Sequence, residues 1–297
     1  MRLIKSSFEI LEQEPGIQGI YKQIERAGRT CYKSEDRITE DSAEKFVNMI
    51  KDRQHTAMLE HGTVYLKGTY DVSAMGSWRH SIGYKYDINK YSKVVTDESA
   101  DFRNIYITTN LRVLYENNWL DDLKYLCEPT EYHEKRITVK FLCDRGVSHE
   151  FVRHRVFSFA QESTRYCNYS KDKFGKELTF IEPCWLEDYN YDDNTYNQLF
   201  IDSLRWAEAH YLDLLKKWED KIPGERYKTG FRNNPWTPQQ ARAVLPNALK
   251  TELVMTGTLE QWKGFFKLRC DAAAHPQARE LAIPLKEEFK KLHYIND

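Results

Sequence analysis

The sequence predicts a single mixed domain of α+β or α/β type, and three observations carry that expectation. Stretches with helical periodicity outnumber those with strand periodicity, the two kinds are dispersed along the chain, and no Pro, Gly or Ser cluster is long enough to serve as a linker. A chain of 297 residues can bury most of the surface its unfolded form exposes, so one core suffices.

Residues 39–54 carry Ala43, Phe46, Val47, Met49 and Ile50 at helical spacing, with Thr39 or Asp41 as the cap. Residues 63–72 are β-branched and aromatic with partial alternation, which predicts a strand. Ile137, Val139 and Phe141 alternate with polar neighbours, so 136–143 reads as a half-buried strand ended by an Asp144-Arg145-Gly146 turn. Ser148 then stands as the N-cap of a short helix bearing HEFVRHR. Residues 194–221 are helical through Leu199, Leu204, Ala207, Tyr211 and Leu215. Thr237-Pro238 forms a cap and first turn, and Thr258 opens a helix through Trp262, Phe265, Phe266 and Leu268. The last helix spans about 276–293, with Pro284 expected to bend or interrupt it. Two stretches, 85–135 and 170–235, are rich in Tyr, Asn, Asp and Lys and read as insertions.

With 44 basic against 45 acidic residues, no global field draws the chain to nucleic acid or an anionic membrane, and any anion site must be local. The opening MRLIKSSFEI lacks a signal-peptide apolar run, and no stretch approaches a membrane span, so a soluble, cytoplasmic protein is expected. Six cysteines without a CxxC pair read as free thiols. Neither GxGxxG nor GxxxxGK[ST] occurs, so a dinucleotide would bind without a Rossmann fingerprint.

The string RHRVFSFAQESTRY gathers Arg153, His154, Arg155 and Arg165 with Ser158, Gln161 and Ser163 in fourteen residues. A guanidinium offers a rigid fork of donors suited to phosphate or a pyrimidine carbonyl edge. The charged residues are interleaved with Val156, Phe157, Phe159 and Ala160, so part of the segment is buried, and a buried Arg needs a partner. Arg242 in ARAVLP and Arg269 in FFKLRC also sit in apolar surroundings. A zinc site at His149, Glu150 and His154 is disfavoured, because the two His are five apart and leave a common helix face, and no metal is expected. Ser163 has no G-x-S-x-G elbow around it.

RHR followed by seven residues and Ser163 resembles the signature of the flavin-dependent thymidylate synthases. HTAMLEHGT upstream, and ARAVLP and FFKLRCDAAAHPQARELA downstream, resemble further blocks of that family in the same order. The resemblance implies an α+β fold, one domain with a central, mostly antiparallel sheet flanked by helices. It also implies a homotetramer with sites shared between subunits, binding FAD, dUMP, 5,10-methylenetetrahydrofolate and NADPH. The reaction implied is methylation of dUMP to dTMP without a cysteine nucleophile.

By position, the resemblance places Arg153, His154 and Arg155 at the flavin, with His61, Thr63, Gln161 and His275 as further cofactor contacts. It places Glu150, Arg153, Gln161, Ser163, Thr164, Arg165, Arg242 and Arg269 at dUMP, with Arg153 reaching it from a neighbouring subunit. Ser163 would lie beside the reacting ring as a donor rather than a nucleophile. Arg269 would stabilise the ionised pyrimidine at its O2 and N3 edge, an electrostatic activation. The sequence departs from the family pattern at Glu150, where many members have Gln, and at Gln161, which is often Glu. It also lacks, across 258–264, the Asn and Arg expected at the flavin, and two extra residues separate His275 from Arg269. The rival reading is a non-catalytic nucleotide- or RNA-binding module using the same Arg and aromatic residues.

Overall fold

A computed structural model describes residues 1–97, 102–171, 175–186, 195–216 and 235–296. The first half contains β1 (Arg2–Ile4), β2 (Ser7–Leu11), α1 (Gly16–Tyr32), α2 (Ser42–Asp52), β3 (Thr63–Asp71), α3 (Ser77–His80), α4 (Ile82–Asp87), β4 (Lys93–Thr96), β5 (Phe102–Asn110) and α5 (Leu111–Glu116). The second contains β6 (Arg136–Asp144), α6 (Arg145–Phe151), β7 (Ser158–Gln161), β8 (Thr179–Ile181), α7 (Thr195–Leu215), α8 (Pro238–Ala241), β9 (Lys250–Thr258), α9 (Leu259–Arg269) and α10 (Pro276–Lys291). Antiparallel sheets flanked by helices form the frame, as the α+β expectation requires.

The alternation that marks β6 in sequence decides the architecture. β6 lies inside the antiparallel sheet β2-β6-β9-β7, opposing Val139 to Met255 and Phe141 to Leu253. Its Ile137, Val139, Phe141 and Cys143 form one face, buried with Trp262, Phe265 and Phe266 of α9 and Leu281, Leu285 and Phe289 of α10. Alternate residues point to opposite faces of a strand, so Thr138 and Thr256 fall on the other side, under α1. β7 pairs on one side only, and α1 and the 3-10 turn Thr56–His61 pack beside it.

A second sheet, β3-β5-β4, is also antiparallel. Its middle strand β5 buries Ile105 and Ile107 with Leu111 and Leu114 of α5 and residues of α1 and α2. The stretch 85–135 therefore carries core, a role its polar composition hides. The parallel pair β1-β8 packs with α7 and α8 around Phe180, Leu204 and Tyr211. All six cysteines are thiols outside any disulfide, and among the described residues no helix is long and apolar enough to cross a membrane.

Several local expectations are corrected. Asp144, not Ser148, caps α6, its carboxylate accepting from the Val147 amide at 2.7 Å. The strand thus passes straight into the helix, with no separate turn, and the Ser148 hydroxyl bonds back to the Arg145 carbonyl at 2.8 Å. α6 ends at Phe151, so Arg153 to Arg155 lie in the turns beyond it. Neither Thr39 nor Asp41 caps α2 through its side chain; instead the Ser42 hydroxyl accepts from the Thr39 amide at 2.9 Å. α10 runs unbroken through Pro284, which lies on its exposed side, where a helix bends most easily. The expected extension of α7 past residue 216 lies outside the described residues.

Thr258 caps α9 with a full capping box, its hydroxyl accepting from Gln261 N while the Gln261 side chain accepts from Thr258 N. One residue earlier, Gly257 is buried in β9, and a Cβ there would stand 2.5 Å from the Phe157 ring. Gly257→Ala is therefore expected to lose about 1–3 kcal/mol of stability by overpacking. A thermal denaturation midpoint equal to that of the parent chain would contradict this.

Candidate active site

The turns after α6 are fixed by their apolar residues. Phe151 and Phe157 are both buried against α9, with Phe151 5.0 Å from Phe265 and Phe157 4.8 Å from Trp262 between ring centroids. The backbone between them closes through His154 N to Phe151 O and Phe157 N to His154 O, each 3.1 Å. Pinned at both ends, the segment turns Arg153 and Arg155 outward. Val156, expected in the buried set, is exposed for the same reason.

Arg269, the last residue of α9, points back at this turn. Its Nε donates to His154 Nε2 at 2.9 Å, its Nη1 to Glu150 Oε2 at 2.5 Å and its Nη2 to the Glu150 carbonyl at 2.8 Å. Burial, and secondarily the Arg269 charge, push the His154 pKa down to about 4, so the ring is neutral and can accept. The partner that an Arg in apolar surroundings demands is thus Glu150. Two guanidinium N–H groups stay free for a ligand.

The second half of the signature builds a neighbouring cleft. Gln161 donates to Ser148 Oγ at 2.9 Å and to Thr251 Oγ1 at 3.3 Å. Ser163 is held by its amide to the Cys31 carbonyl at 3.0 Å, and its hydroxyl accepts from the Arg165 amide at 3.3 Å. No base reaches that hydroxyl among the described residues, in keeping with a positioning donor. The buried Thr164 accepts from Arg242 Nη1 at 3.3 Å, and both line a cleft of about 420 Å³ with Arg145 and Gln239. Arg145 escapes a sequence reading because it stands in what looks like a turn; its position directly after a confident strand was the available signal. Arg165 extends into solvent over Tyr166.

Behind this loop lies a buried charge network. Glu162 accepts from the Tyr169 hydroxyl at 3.0 Å and pairs with Lys250 at 2.8 Å. Lys250 also reaches Glu252 at 2.6 Å, as do Lys140 at 2.6 Å and Lys33 at 2.5 Å. Burial opposes ionisation of Glu252, but the three lysines overcome it and hold its carboxyl well below the usual carboxylate range. Glu252→Gln leaves those lysines without their shared anion, and a loss of about 3–5 kcal/mol is expected. Denaturant unfolding measures it, and a change under about 1 kcal/mol would refute the assignment.

The upstream block places one histidine in the interior and one at the surface. His61 is fully buried, with Nδ1 2.7 Å from Thr256 Oγ1, which in turn lies 2.8 Å from Thr138 Oγ1. The 3-10 turn carries it inward, against β7 and β9. His55, at the other end of that turn, is exposed; its Nδ1 lies 3.3 Å from the Tyr32 hydroxyl, and the Tyr32 ring is 5.5 Å from Tyr166 of the signature. Its exposure is not legible in the sequence, since helical phase in a six-residue turn cannot be read from spacing. Thr63 is buried, its hydroxyl accepting from Arg136 Nη1 at 3.3 Å. His275 is exposed at the start of α10, its ring 5.9 Å from Trp185.

Arg155 is not brought to Arg269. It lines a separate cleft of about 670 Å³ with Ser158, Thr258, Gln261 and Arg136. That volume lies in the range of ligand sites, and its cations suit an anionic ligand.

Burial first, and then the Arg136 charge, push the His61 pKa down to about 3, beside about 4 for His154. Both lie below the ordinary value near 6.5, so the unfolded chain takes up these protons first as pH falls. Their stability contribution is present above about pH 6.5 and is lost as pH falls toward 4, at up to about 1.4 kcal/mol per unit for each group. Melting temperature should fall over that window, and less steeply in His61→Asn; parallel profiles would exclude His61 as a source.

The chain matches the family described as thymidylate synthase complementing protein over residues 130–293, which holds the signature, Arg242 and Arg269. It is 33% identical over 139 residues to the flavin-dependent thymidylate synthase of Mycobacterium tuberculosis (strain ATCC 25618 / H37Rv), covering 47% of this chain and 51% of that protein. It is similarly 34% identical over 139 residues to the one from Mycolicibacterium gilvum (strain PYR-GCK), with the same two shares. To that of Corynebacterium efficiens it is 31% identical over 147 residues, covering 50% and 54%. The chain thus spans about half the length of the curated relatives it matches, and both β3 and His61 fall outside the family match. Since the match covers more than half of the chain and takes in the central sheet's β6, β7 and β9 with the Arg269 cluster, the chain belongs to the thymidylate synthase complementing protein family.

Proposed function

We propose that the chain is a flavin-dependent thymidylate synthase, methylating dUMP to dTMP with 5,10-methylenetetrahydrofolate as one-carbon donor and FAD and NADPH as the reducing system. The observation that carries this reading is the pair of cationic sites at the two ends of α6. Arg145 at its start lines the cleft with Arg242 and Thr164, and Glu150 near its end holds Arg269. Five residues of helix separate them by roughly 7–8 Å, comparable to the distance from phosphate to base in a mononucleotide.

In this reading Arg242, Arg145 and Thr164 take the dUMP phosphate, whose near-dianionic charge suits two guanidinium groups. Gln161, Ser163 and Arg165 position the nucleotide, and Arg269 stabilises negative charge at the uracil O2 and N3 edge, which makes C5 electron-rich. Glu150 holds Arg269 in place until the base arrives. Arg153, exposed and without a side-chain partner among the described residues, reaches a neighbouring subunit's site in a homotetramer. His154 and Arg155 line the flavin side. Flavin, when bound, supplies the hydride that completes the methyl group. The cytoplasm, where dUMP and folate are available, is the proposed compartment.

Purified chain given dUMP, methylenetetrahydrofolate, FAD and NADPH should form dTMP. Arg269→Ala should lower turnover about 10²–10³-fold, the cost of removing one preorganised electrostatic donor, while flavin binding persists. A parent chain that takes up no FAD overturns the reading, and an Arg269→Ala variant with unchanged turnover overturns the role given to Arg269.

A further inference from the structure

The 670 Å³ cleft that Arg155 lines has walls of different origin. One wall is Arg155, Ser158, Thr258 and Gln261, within the family match. The other is Lys90, Tyr91, Lys93 and Arg112, from the segment leading into β4 and from α5, all outside that match. Arg136, at the start of β6, lies between them.

The charges in this cleft are unevenly paired. Arg112 is occupied by Glu60 and by Glu116. Among the described residues, Lys90, Lys93, Arg136 and Arg155 have no carboxylate within ion-pair distance; the Arg136 guanidinium bonds only to the Thr63 hydroxyl at 3.3 Å and the Glu60 carbonyl at 3.1 Å. Burial disfavours its charge, and Tyr65, Glu60 and Glu134, none of them in an ion pair with it, offset that cost only in part. A cation kept in such a place indicates an anion supplied from outside.

The shape narrows the anion. A lone phosphate or carboxylate would meet one wall and leave the other unpaired, whereas a diphosphate carries charge on two linked groups and can meet both. Tyr91, 65% exposed at the same cleft, offers a face to a flat ring. The wall of Arg155, Ser158, Thr258 and Gln261 carries a single cation, too little for two linked anionic groups. We propose that the three-stranded sheet makes good this deficit, and that Lys90 and Lys93, with Arg136 and Arg155, bind the diphosphate of a dinucleotide. The inference rests on the preceding reading for which dinucleotides are at hand, FAD and NADPH.

The test uses the full chain and the double variant Lys90→Ala/Lys93→Ala, whose side chains make no hydrogen bond or ion pair among the described residues. Dissociation constants for FAD and for FMN are measured by flavin fluorescence, and for NADPH by its own fluorescence on flavin-free protein. The double variant should weaken FAD or NADPH about tenfold at low salt while FMN, which has no diphosphate, is unaffected. Weakening of FAD alone assigns the site to the flavin, and of NADPH alone to the nicotinamide dinucleotide. Unchanged affinity for both, or equal weakening of FMN, overturns the proposal. Lys93→Glu alone gives a second check, since charge reversal at an exposed site should act in the same direction and more strongly. Diphosphate-dependent FAD binding without dTMP formation would sink the proposed reaction and leave this inference standing; dTMP formation with lysine-independent binding would do the reverse.

Discussion

Two aromatic anchors govern where the chemistry sits. Phe151 and Phe157 insert into the cluster made by Phe141, Trp262 and Phe265, and the five residues between them are left on a short leash. Such packing is worth several kcal/mol and has a defined geometry, so it can hold Arg153, His154 and Arg155 outside the core. Gly257 belongs to the same constraint, because its missing side chain is the space the Phe157 ring occupies. The signature is therefore positioned by its apolar residues and made useful by its charged ones.

The chain treats buried charge in two opposite ways. Around Glu252 the anion and its lysines satisfy one another, which rigidifies the strand behind Gln161 and Ser163. At Arg136 and around Arg242, cations are held with neutral partners, a threonine hydroxyl in each case. The first pattern supports structure, and the second leaves electrostatic capacity unspent. Arg269 lies between these extremes, bound to Glu150 yet retaining free donors.

What could be read beforehand follows from the range of the forces involved. β6, the cap at Thr258 and the helix after it are fixed by local periodicity and capping, and they appear where expected. Arg242 and Arg269 were legible because a cation in an apolar string is costly anywhere. By contrast, Arg145 and Arg136 flank a strand and look ordinary until other segments fold against them. That His61 is buried and His55 exposed turns on the phase of one 3-10 turn, which is set by packing on α1 and β7. The stretch 85–135 looked dispensable because a strand buried on one face and flanked by polar loops dilutes its own hydrophobic signal.

β7 carries the middle of the signature at the margin of its sheet, with one row of backbone groups unpaired by any strand among the described residues. A margin of that kind is ordinarily a template on which a second chain can add a strand and begin to aggregate. Here α1 and the turn ending at His61 lie against it, and the strand is only four residues long. Self-association is thereby steered away from strand addition and toward side-chain surfaces, where contacts are reversible and can be specific. The interior placement of His61 also helps to close an edge that would otherwise invite misassembly.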